Sequence, residues 1–261
     1  MFWTGRDTPE EVRALGVRCG QLGIPGEMAL SAAAADEWKF RLSQAGLTIC
    51  TIFASYIGED YADIPTVGRT VGFVPPGTRA ARERRTEEVV EFAARLGVGS
   101  FACHIGCLPR EDGEIRDLVR RVCDRCAAHG MTFALETGQE PAEALLRFLD
   151  AVDRPNLGIN FDPANMILYG TGDPIAALRR VAPGVLSVHC KDGVPPAAPG
   201  ALGTECPLGQ GHVGIESFVR TLAACGYRGQ LHIEREGVDH DRWLRDVSDG
   251  IQLVSQAAQL R

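Results

Sequence analysis

Four apolar segments of the chain each end in a residue that can bind a metal ion. The four end residues are Glu136, Asp162, His189 and Glu234, and the gaps between them are 26, 27 and 45 residues. A gap near 26 residues fits one strand, one helix and two turns, so each ligand falls at the C-terminal end of a strand in a repeating βα unit. Parallel strands closed into a barrel bring those ends together on one face. One carboxylate cannot hold a divalent cation against water, but three carboxylates and an imidazole at one point can.

The rest of the chain alternates between strand and helix patterns, which predicts a parallel sheet. The predicted strands span residues 2–4, 17–22, 47–53, 100–104, 131–136, 157–162, 185–190 and 230–234. The predicted helices span residues 8–15, 33–45, 79–96, 114–129, 141–152, 174–181, about 215–222 and about 246–260. Thr8 and Gly46 carry the local signals of a helix start and a helix end. Eight such units fit 261 residues, so we predict an α/β fold, a (β/α)8 TIM barrel, with a single domain over residues 1–261.

Charge and hydropathy narrow the classes of partner. The net charge is −7, and we interpret the short basic stretch with Arg79, Arg82, Arg84 and Arg85 as a solvated helix face. An acidic chain is a poor electrostatic match for nucleic acid, so we expect no nucleic-acid partner. No apolar run approaches the 18 residues of a membrane-spanning helix, so we expect no membrane partner.

Cysteine usage and the N-terminus predict a cytoplasmic protein. The first residues lack the basic region and apolar stretch of a signal peptide, and nine cysteines without such a leader indicate reduced thiols. Cys123 and Cys126 form a C-x-x-C pair, but Cys126 continues an apolar helical stripe that starts at Ile115. We therefore interpret the pair as core and not as a redox or zinc site.

Two predicted loops are longer than the few residues usual between a strand and a helix. Residues 55–78 follow the third strand, and residues 192–214 follow the seventh. Loops this long inside a compact domain are usually lids or binding loops. We predict that both cover the metal, and that Tyr56 and Tyr61, or Phe73, wall the substrate pocket.

Five motifs in the C-terminal half resemble those of a known family. They are ALETGQE at 134–140, NFDPANM at 160–166, SVHCKD at 187–192, PLGQGHV at 207–213 and LHIERE at 231–236. In this order they are similar to motifs of the sugar phosphate isomerases/epimerases, members of the xylose-isomerase-like TIM-barrel superfamily. That superfamily includes the ketose 3-epimerases and, more distantly, endonuclease IV. The N-terminal half resembles these proteins only in its order of strands.

The resemblance implies a metal-dependent proton transfer. It implies that Glu136, Asp162, His189 and Glu234 bind one divalent cation, and that Glu136 and Glu234 also move the proton. A cation bound by a carbonyl oxygen and the neighbouring hydroxyl acidifies the carbon–hydrogen bond between them. One glutamate on each face of the enediolate can then remove a proton and return it. Three oxygen donors and one nitrogen favour Mn2+, Mg2+ or Co2+, and Zn2+ stays open.

Two positions depart from the epimerases that the chain resembles. Asn165 stands where they carry a histidine that touches substrate, and Pro195 stands where they carry an arginine. An asparagine can orient a substrate but cannot protonate it, so we expect an altered carbohydrate substrate. Lys191 lies two residues after His189 and so on the same side of the strand. The predicted substrate contacts are His104, Gln139, Asn165, Lys191, Gln210 and His212.

Several functions remain open at this point. The leading one is an isomerase or epimerase on a small carbohydrate, and its rival is a dehydratase or lyase that eliminates from a keto-sugar or keto-inositol with the same metal site. A nuclease like endonuclease IV is disfavoured, because such enzymes hold three metals with additional histidines and the third strand here ends in Phe53. A non-catalytic metal-binding barrel and a homo-oligomer, dimer or tetramer, also stay open.

Overall fold

Strands and helices alternate along the chain in the computed structural model, which describes residues 1–108 and 113–259. The strands are β1 Phe2–Trp3, β2 Cys19–Ile24, β3 Thr48–Ala54, β4 Ser100–Cys103, β5 Thr132–Glu136, β6 Leu157–Phe161, β7 Val185–Cys190, β8 Asp192–Val194, β9 Thr204–Cys206 and β10 Leu231–Ile233. The α-helices are α1 Pro9–Ala14, α2 Ala32–Ala45, α3 Ile64–Thr70, α4 Pro76–Leu96, α5 Gly113–Ala128, α6 Ala142–Val152, α7 Pro163–Tyr169, α8 Pro174–Val181, α9 Ile215–Ala224 and α10 His240–Gln259.

Eight of the strands form one sheet. Their order is β1-β2-β3-β4-β5-β6-β7-β10, so each strand lies beside the next one along the chain. The pairings β1–β2, β2–β3, β3–β4, β4–β5, β6–β7 and β7–β10 are parallel, and helices connect the strands. This is the strand order of a TIM barrel, and it confirms the predicted α/β fold class.

The chain divides into two compact units. The first contains Met1–Tyr61, Thr66–Leu135 and Phe148–Gly158, and the second contains Ala62–Pro65, Glu136–Arg147 and Ile159–Arg261. The first unit holds β1 to β4, most of β5 and the first two residues of β6, whereas the second holds the last residue of β5, the rest of β6, and β7 to β10. A single domain over the whole chain therefore stays a prediction.

Four short elements were missed by the sequence analysis. The predicted loop 55–78 contains α3, and the predicted loop 192–214 contains β8 and β9, which pair as an antiparallel hairpin. Helix α7 begins directly after Asp162, where no helix was predicted. Its cause is local, because the Asp162 side chain accepts hydrogen bonds from two backbone N–H groups of the first turn and Pro163 occupies the first position.

The interpretation of the α4 arginines as a solvated face is wrong for three of the four. Arg79, Arg82 and Arg85 lie one turn apart on α4, and their guanidinium groups donate to backbone carbonyls of the loops that follow β2 and β3. The acceptors are Phe73, Val74, Gly72, Ile57, Pro25 and Met28. Loop carbonyls need donors when they are withdrawn from water, and this face of α4 supplies them. Arg84 is exposed, as predicted.

Two aromatic residues predicted as pocket walls belong instead to the core of the first unit. Tyr56 and Phe73 are buried, and their ring centroids lie 5.5 Å apart. The Tyr56 hydroxyl forms a 2.6 Å hydrogen bond with that of Thr86. Tyr61 is exposed, with its ring 5.8 Å from that of His104.

The C-x-x-C pair is buried, as the apolar stripe predicted. Cys123 and Cys126 are fully buried on α5, and burial raises the pKa of each thiol to about 12. Thiols that stay protonated are poor nucleophiles and poor metal ligands. Within the described residues, no helix is both long and apolar enough to cross a bilayer.

Candidate metal centre

The four predicted ligands come together in the second unit. Each of Glu136, Asp162, His189 and Glu234 offers one ligand atom, and these atoms all lie within 4.8 Å of one another. Glu136 ends β5 and His189 lies near the end of β7, while Asp162 and Glu234 each follow their strand by one residue. The strand ends therefore place three carboxylates and one imidazole around a single point, all of them buried.

His189 lies at the middle of this cluster. Its Nδ1 is 3.1 Å from Glu136 Oε1, 3.0 Å from Glu234 Oε2 and 3.8 Å from Asp162 Oδ2. Burial alone lowers the pKa of this imidazole, but Glu136 and Glu234 outweigh burial and raise its pKa well above the ordinary value. The cluster thus concentrates negative charge around one buried point, which favours the binding of a cation.

The two oxygens of Asp162 have different surroundings. Oδ1 accepts hydrogen bonds from the backbone N–H groups of Ala164 at 2.8 Å and Asn165 at 3.1 Å, and so caps α7. Oδ2 is buried and accepts no hydrogen bond from any residue in 1–108 or 113–259. Burial raises the pKa of Asp162 to about 6. A buried oxygen without a donor is costly unless it has another partner, so this atom fits a metal ligand.

Two asparagine amides hold Glu136. Asn165 Nδ2 donates to Oε1 at 3.1 Å, and Asn160 Nδ2 donates to Oε2 at 3.2 Å. Asn165 also donates to the carbonyl oxygen of Thr137, while Asn160 Oδ1 accepts a hydrogen bond from the Ser187 hydroxyl. Asn160 was missed by the sequence analysis, although its position two residues before Asp162 places it on the same side of β6.

Lys191 lies against the same cluster, as its spacing from His189 predicted. Its side chain is almost fully buried, with Nζ 3.2 Å from Glu234 Oε2 and 3.9 Å from Asp162 Oδ2. Burial opposes the charge on this ammonium, but nearby carboxylates, Glu234 foremost, raise the pKa of Lys191 well above its usual range. Lys191 therefore stays a cation beside two of the candidate ligands.

The other predicted substrate contacts have varied settings. Gln139 is half-buried, with Nε2 3.5 Å from the Tyr169 hydroxyl. Gln210 and His212 are exposed on the segment between β9 and α9. His104 lies in the first unit, where its ring centroid is 5.9 Å from that of Phe53. Their contact with substrate stays a prediction.

Asp192 organises the segment that carries Gln210 and His212. Its buried carboxylate accepts four backbone hydrogen bonds, two at each oxygen, at 2.9 to 3.1 Å. The donors are the N–H groups of Gly193, Gly209, Gly211 and Val213. Backbone groups of β8 and of the turn after β9 thus share one anchor.

Asp192→Asn is expected to lower the free energy of unfolding by about 2 to 4 kcal/mol. The substitution replaces one carboxylate oxygen with an NH2 group, which cannot accept a hydrogen bond. Two backbone N–H groups therefore lose their acceptor. Urea unfolding measures this difference. Asp150→Asn, at an exposed position of α6, is the control and should change stability by less than about 0.5 kcal/mol. Equal stability of the two variants would show that this carboxylate does not anchor the segment.

A model of the family described as xylose isomerase-like TIM barrel matches residues 9–256. The chain belongs to this family. A xylose isomerase domain protein from Planctomyces limnophilus is 40% identical in a solved structure with a TM-score of 0.93, and the match covers 98% of this chain and 94% of that one. YihM of Escherichia coli (strain K12), an uncharacterized protein, is 28% identical over 158 residues, which are 57% of this chain and about half, 47%, of YihM.

Solved structures of lower sequence identity share the fold. A protein from Mycobacterium smegmatis in complex with magnesium is 19% identical, with a TM-score of 0.73 over 96% of this chain and 86% of that one. D-psicose 3-epimerase with D-tagatose from Clostridium cellulolyticum H10 is 18% identical, with a TM-score of 0.69 over 96% and 92%. A probable 3-DHS dehydratase from Bacillus anthracis is 18% identical, with a TM-score of 0.66 over 94% and 92%.

Proposed function

We propose that the chain is a metal-dependent isomerase or epimerase of a small carbohydrate, which removes and returns a proton on a carbon beside a carbonyl group. One observation carries this proposal: two glutamates, Glu136 and Glu234, lie on a buried cluster of four metal-type ligands. Such a cluster offers both a cation site and two carboxylates able to take up a proton. When bound, a divalent cation supplies the positive charge that acidifies the substrate carbon.

The donor set supports an oxygen-preferring cation. Three carboxylates and one imidazole, with no thiolate, suit Mn2+, Mg2+ or Co2+, and Zn2+ stays open. The magnesium in the complex of the Mycobacterium smegmatis protein is consistent with this choice. Glu136, Asp162, His189 and Glu234 would hold the cation.

The two glutamates have different surroundings, which suits a pair that exchanges a proton with substrate. Glu136 is held by the neutral amides of Asn160 and Asn165. Burial opposes the charge on Glu234, but His189 and the ammonium of Lys191 outweigh it and hold the pKa of Glu234 well below its usual range. Carboxylates in unlike environments can divide the roles of proton donor and acceptor.

Asn165 acts in this proposal on Glu136 and not on the proton. Its amide spans the Glu136 carboxylate and the Thr137 carbonyl, which fixes the orientation of Glu136. An amide cannot transfer a proton at neutral pH, so Asn165 supplies orientation only. Because the histidine of the ketose epimerases is missing here, we infer a substrate other than a free ketohexose, such as a keto-sugar derivative.

A second candidate is a dehydratase that starts with the same proton abstraction and then expels a hydroxyl group. The fold shared with the probable 3-DHS dehydratase favours keeping this candidate. The two reactions differ only after the proton has left, so product analysis separates them.

The test is incubation of the Mn2+-loaded protein with ketohexoses, keto-glycosides and keto-inositols in D2O, followed by NMR. An isomerase or epimerase incorporates deuterium and yields an isomer, whereas a dehydratase or lyase yields a product that has lost water or the aglycone. We expect turnover on free ketohexoses well below the typical enzyme value of about 10 per second, and faster turnover on a keto-sugar derivative. Neither exchange nor product with any compound would contradict the proposed function.

A further inference from the structure

The ammonium of Lys191 lies between two groups of carboxylates. On one side are the candidate metal ligands Asp162 and Glu234, at 3.9 and 3.2 Å from Nζ. On the other side are Glu236 at 3.1 Å and Glu205 at 3.6 Å. Glu205 lies on β9, in a segment that the sequence analysis described only as a loop.

We propose that Glu205 is a positioning residue that draws the Lys191 ammonium toward Glu236 and away from Asp162, so that Lys191, which contacts Glu234, leaves the cation site available. This inference rests on the proposed function, because it assigns the Glu136, Asp162, His189 and Glu234 cluster to a divalent cation. It makes the β8–β9 hairpin a part of the active site.

The two oxygens of Glu205 make separate contacts. Oε1 accepts hydrogen bonds from Arg235 Nη1 at 2.7 Å and from the backbone N–H of Glu236 at 2.9 Å. Oε2 is the oxygen that faces Lys191. Arg235 in turn donates from Nε to Asp246 of α10 at 2.8 Å. One oxygen therefore fastens β9 to the segment after β10, and the other supplies negative charge to the ammonium.

The hairpin itself is packed too closely to shift easily. In its register Gly193 lies opposite Glu205, and the backbone N–H of Gly203 donates to the carbonyl of Leu168 on α7 at 2.8 Å. A Cβ atom added at Gly203 would come within 2.2 Å of the Val194 carbonyl oxygen, and one at Gly193 within 2.7 Å of the Leu168 side chain. Glycines that admit no side chain indicate close backbone contact, so the position of Glu205 is fixed by the fold.

The charge of Glu205 affects the position of the Lys191 ammonium. Glu205 and Glu236 attract Lys191 away from Asp162 Oδ2, the oxygen that accepts no hydrogen bond within the described residues. If Glu205 lost its charge, Lys191 would be drawn toward Asp162 and Glu234 and would compete there with the divalent cation. Removal of one negative charge near the site also weakens cation binding, so both effects have the same sign.

Glu205→Gln tests this inference without removing the structural contact. The amide oxygen can still accept from Arg235 and from the Glu236 N–H, but the side chain carries no charge. We expect the Kd for Mn2+, measured by EPR titration of chelator-treated protein, to rise about tenfold, a typical loss for a partner outside the ligand set. Glu205→Asp, which retains the charge, should bind Mn2+ more tightly than Glu205→Gln. Glu216→Gln, an exposed position of α9 paired with Arg220, is the matched control and should bind Mn2+ as the wild type does.

A second comparison shows whether Glu205 acts through Lys191. In a Lys191→Met background, adding Glu205→Gln should change the Mn2+ Kd by much less than in the wild type, since coupled residues are not additive. A purely structural role would lower stability in urea and leave the Kd unchanged. The same factor in both backgrounds, or an unchanged Kd in Glu205→Gln, would overturn the inference.

The use of Mn2+ alone separates this inference from the proposed reaction. Binding with the expected coupling, but no reaction with any carbohydrate, would support the role of Glu205 and contradict the proposed function. Binding without coupling would contradict only the role of Glu205. A wild-type chain that binds no Mn2+ would contradict both.

Discussion

Glu136→Gln and Glu234→Gln are each expected to lower the turnover number at least about a hundredfold, the lower end for loss of a positioned acid or base. Each change keeps the size of the side chain but replaces the carboxylate, which can take up the proton, with a neutral amide, which cannot. The measurement is the initial rate with the best substrate of the D2O experiment, made together with metal analysis of the same sample. Part of the loss will come from weaker metal binding, so rates are compared per bound metal ion.

Glu143→Gln is the matched control for this pair. Glu143 lies in the first turn of α6, exposed, with Arg180 as its ion-pair partner. Its turnover number should equal that of the wild type. If Glu136→Gln and Glu234→Gln both retained their metal and near-full activity, the mechanism with two glutamates would be wrong.

The double variant Glu136→Gln, His189→Asn is expected to bind Mn2+ at least about a hundredfold more weakly than the wild type. It removes one carboxylate charge and one imidazole from the four candidate ligands. This is a larger change than the loss of a residue that only contacts a ligand. Equilibrium dialysis followed by metal analysis gives the occupancy. His129→Asn is the control, since His129 is paired with Glu91 on the helix surface and lies outside the cluster. Unchanged Mn2+ occupancy in the double variant would show that Glu136 and His189 are not metal ligands.

The grouping of the candidate ligands could be predicted from the sequence because it depends on a regular repeat. Glu136, Asp162 and His189 lie at or directly after the C-terminal ends of apolar strands at spacings of one βα unit, and parallel strands align those ends whatever the details of packing. Lys191 followed from the two-residue period of β7. These predictions needed only local pattern and the fold class.

Contacts that depend on long-range register could not be predicted in this way. Glu205 lies 14 residues after Lys191, in a segment rich in glycine and proline whose pairing as β8–β9 is set by contact with α7. Helix α7 begins where it does because the Asp162 side chain caps its first turn. The sequence analysis treated Asp162 only as a candidate metal ligand. The contacts of Arg82 with loop carbonyls depend on where the loop after β3 folds back, which charge patterning does not reveal.

The most direct test of the central claim is the metal dependence of solvent deuterium incorporation. Wild-type protein, treated with a chelator and then given Mn2+, is incubated with its substrate in D2O, and NMR follows the carbon beside the carbonyl group. We predict deuterium at that carbon in the Mn2+-restored wild type, almost none in the chelator-treated sample, and almost none in metal-loaded Glu136→Gln. Incorporation at the full rate after metal removal, or in Glu136→Gln, would contradict a metal-dependent proton abstraction at this site.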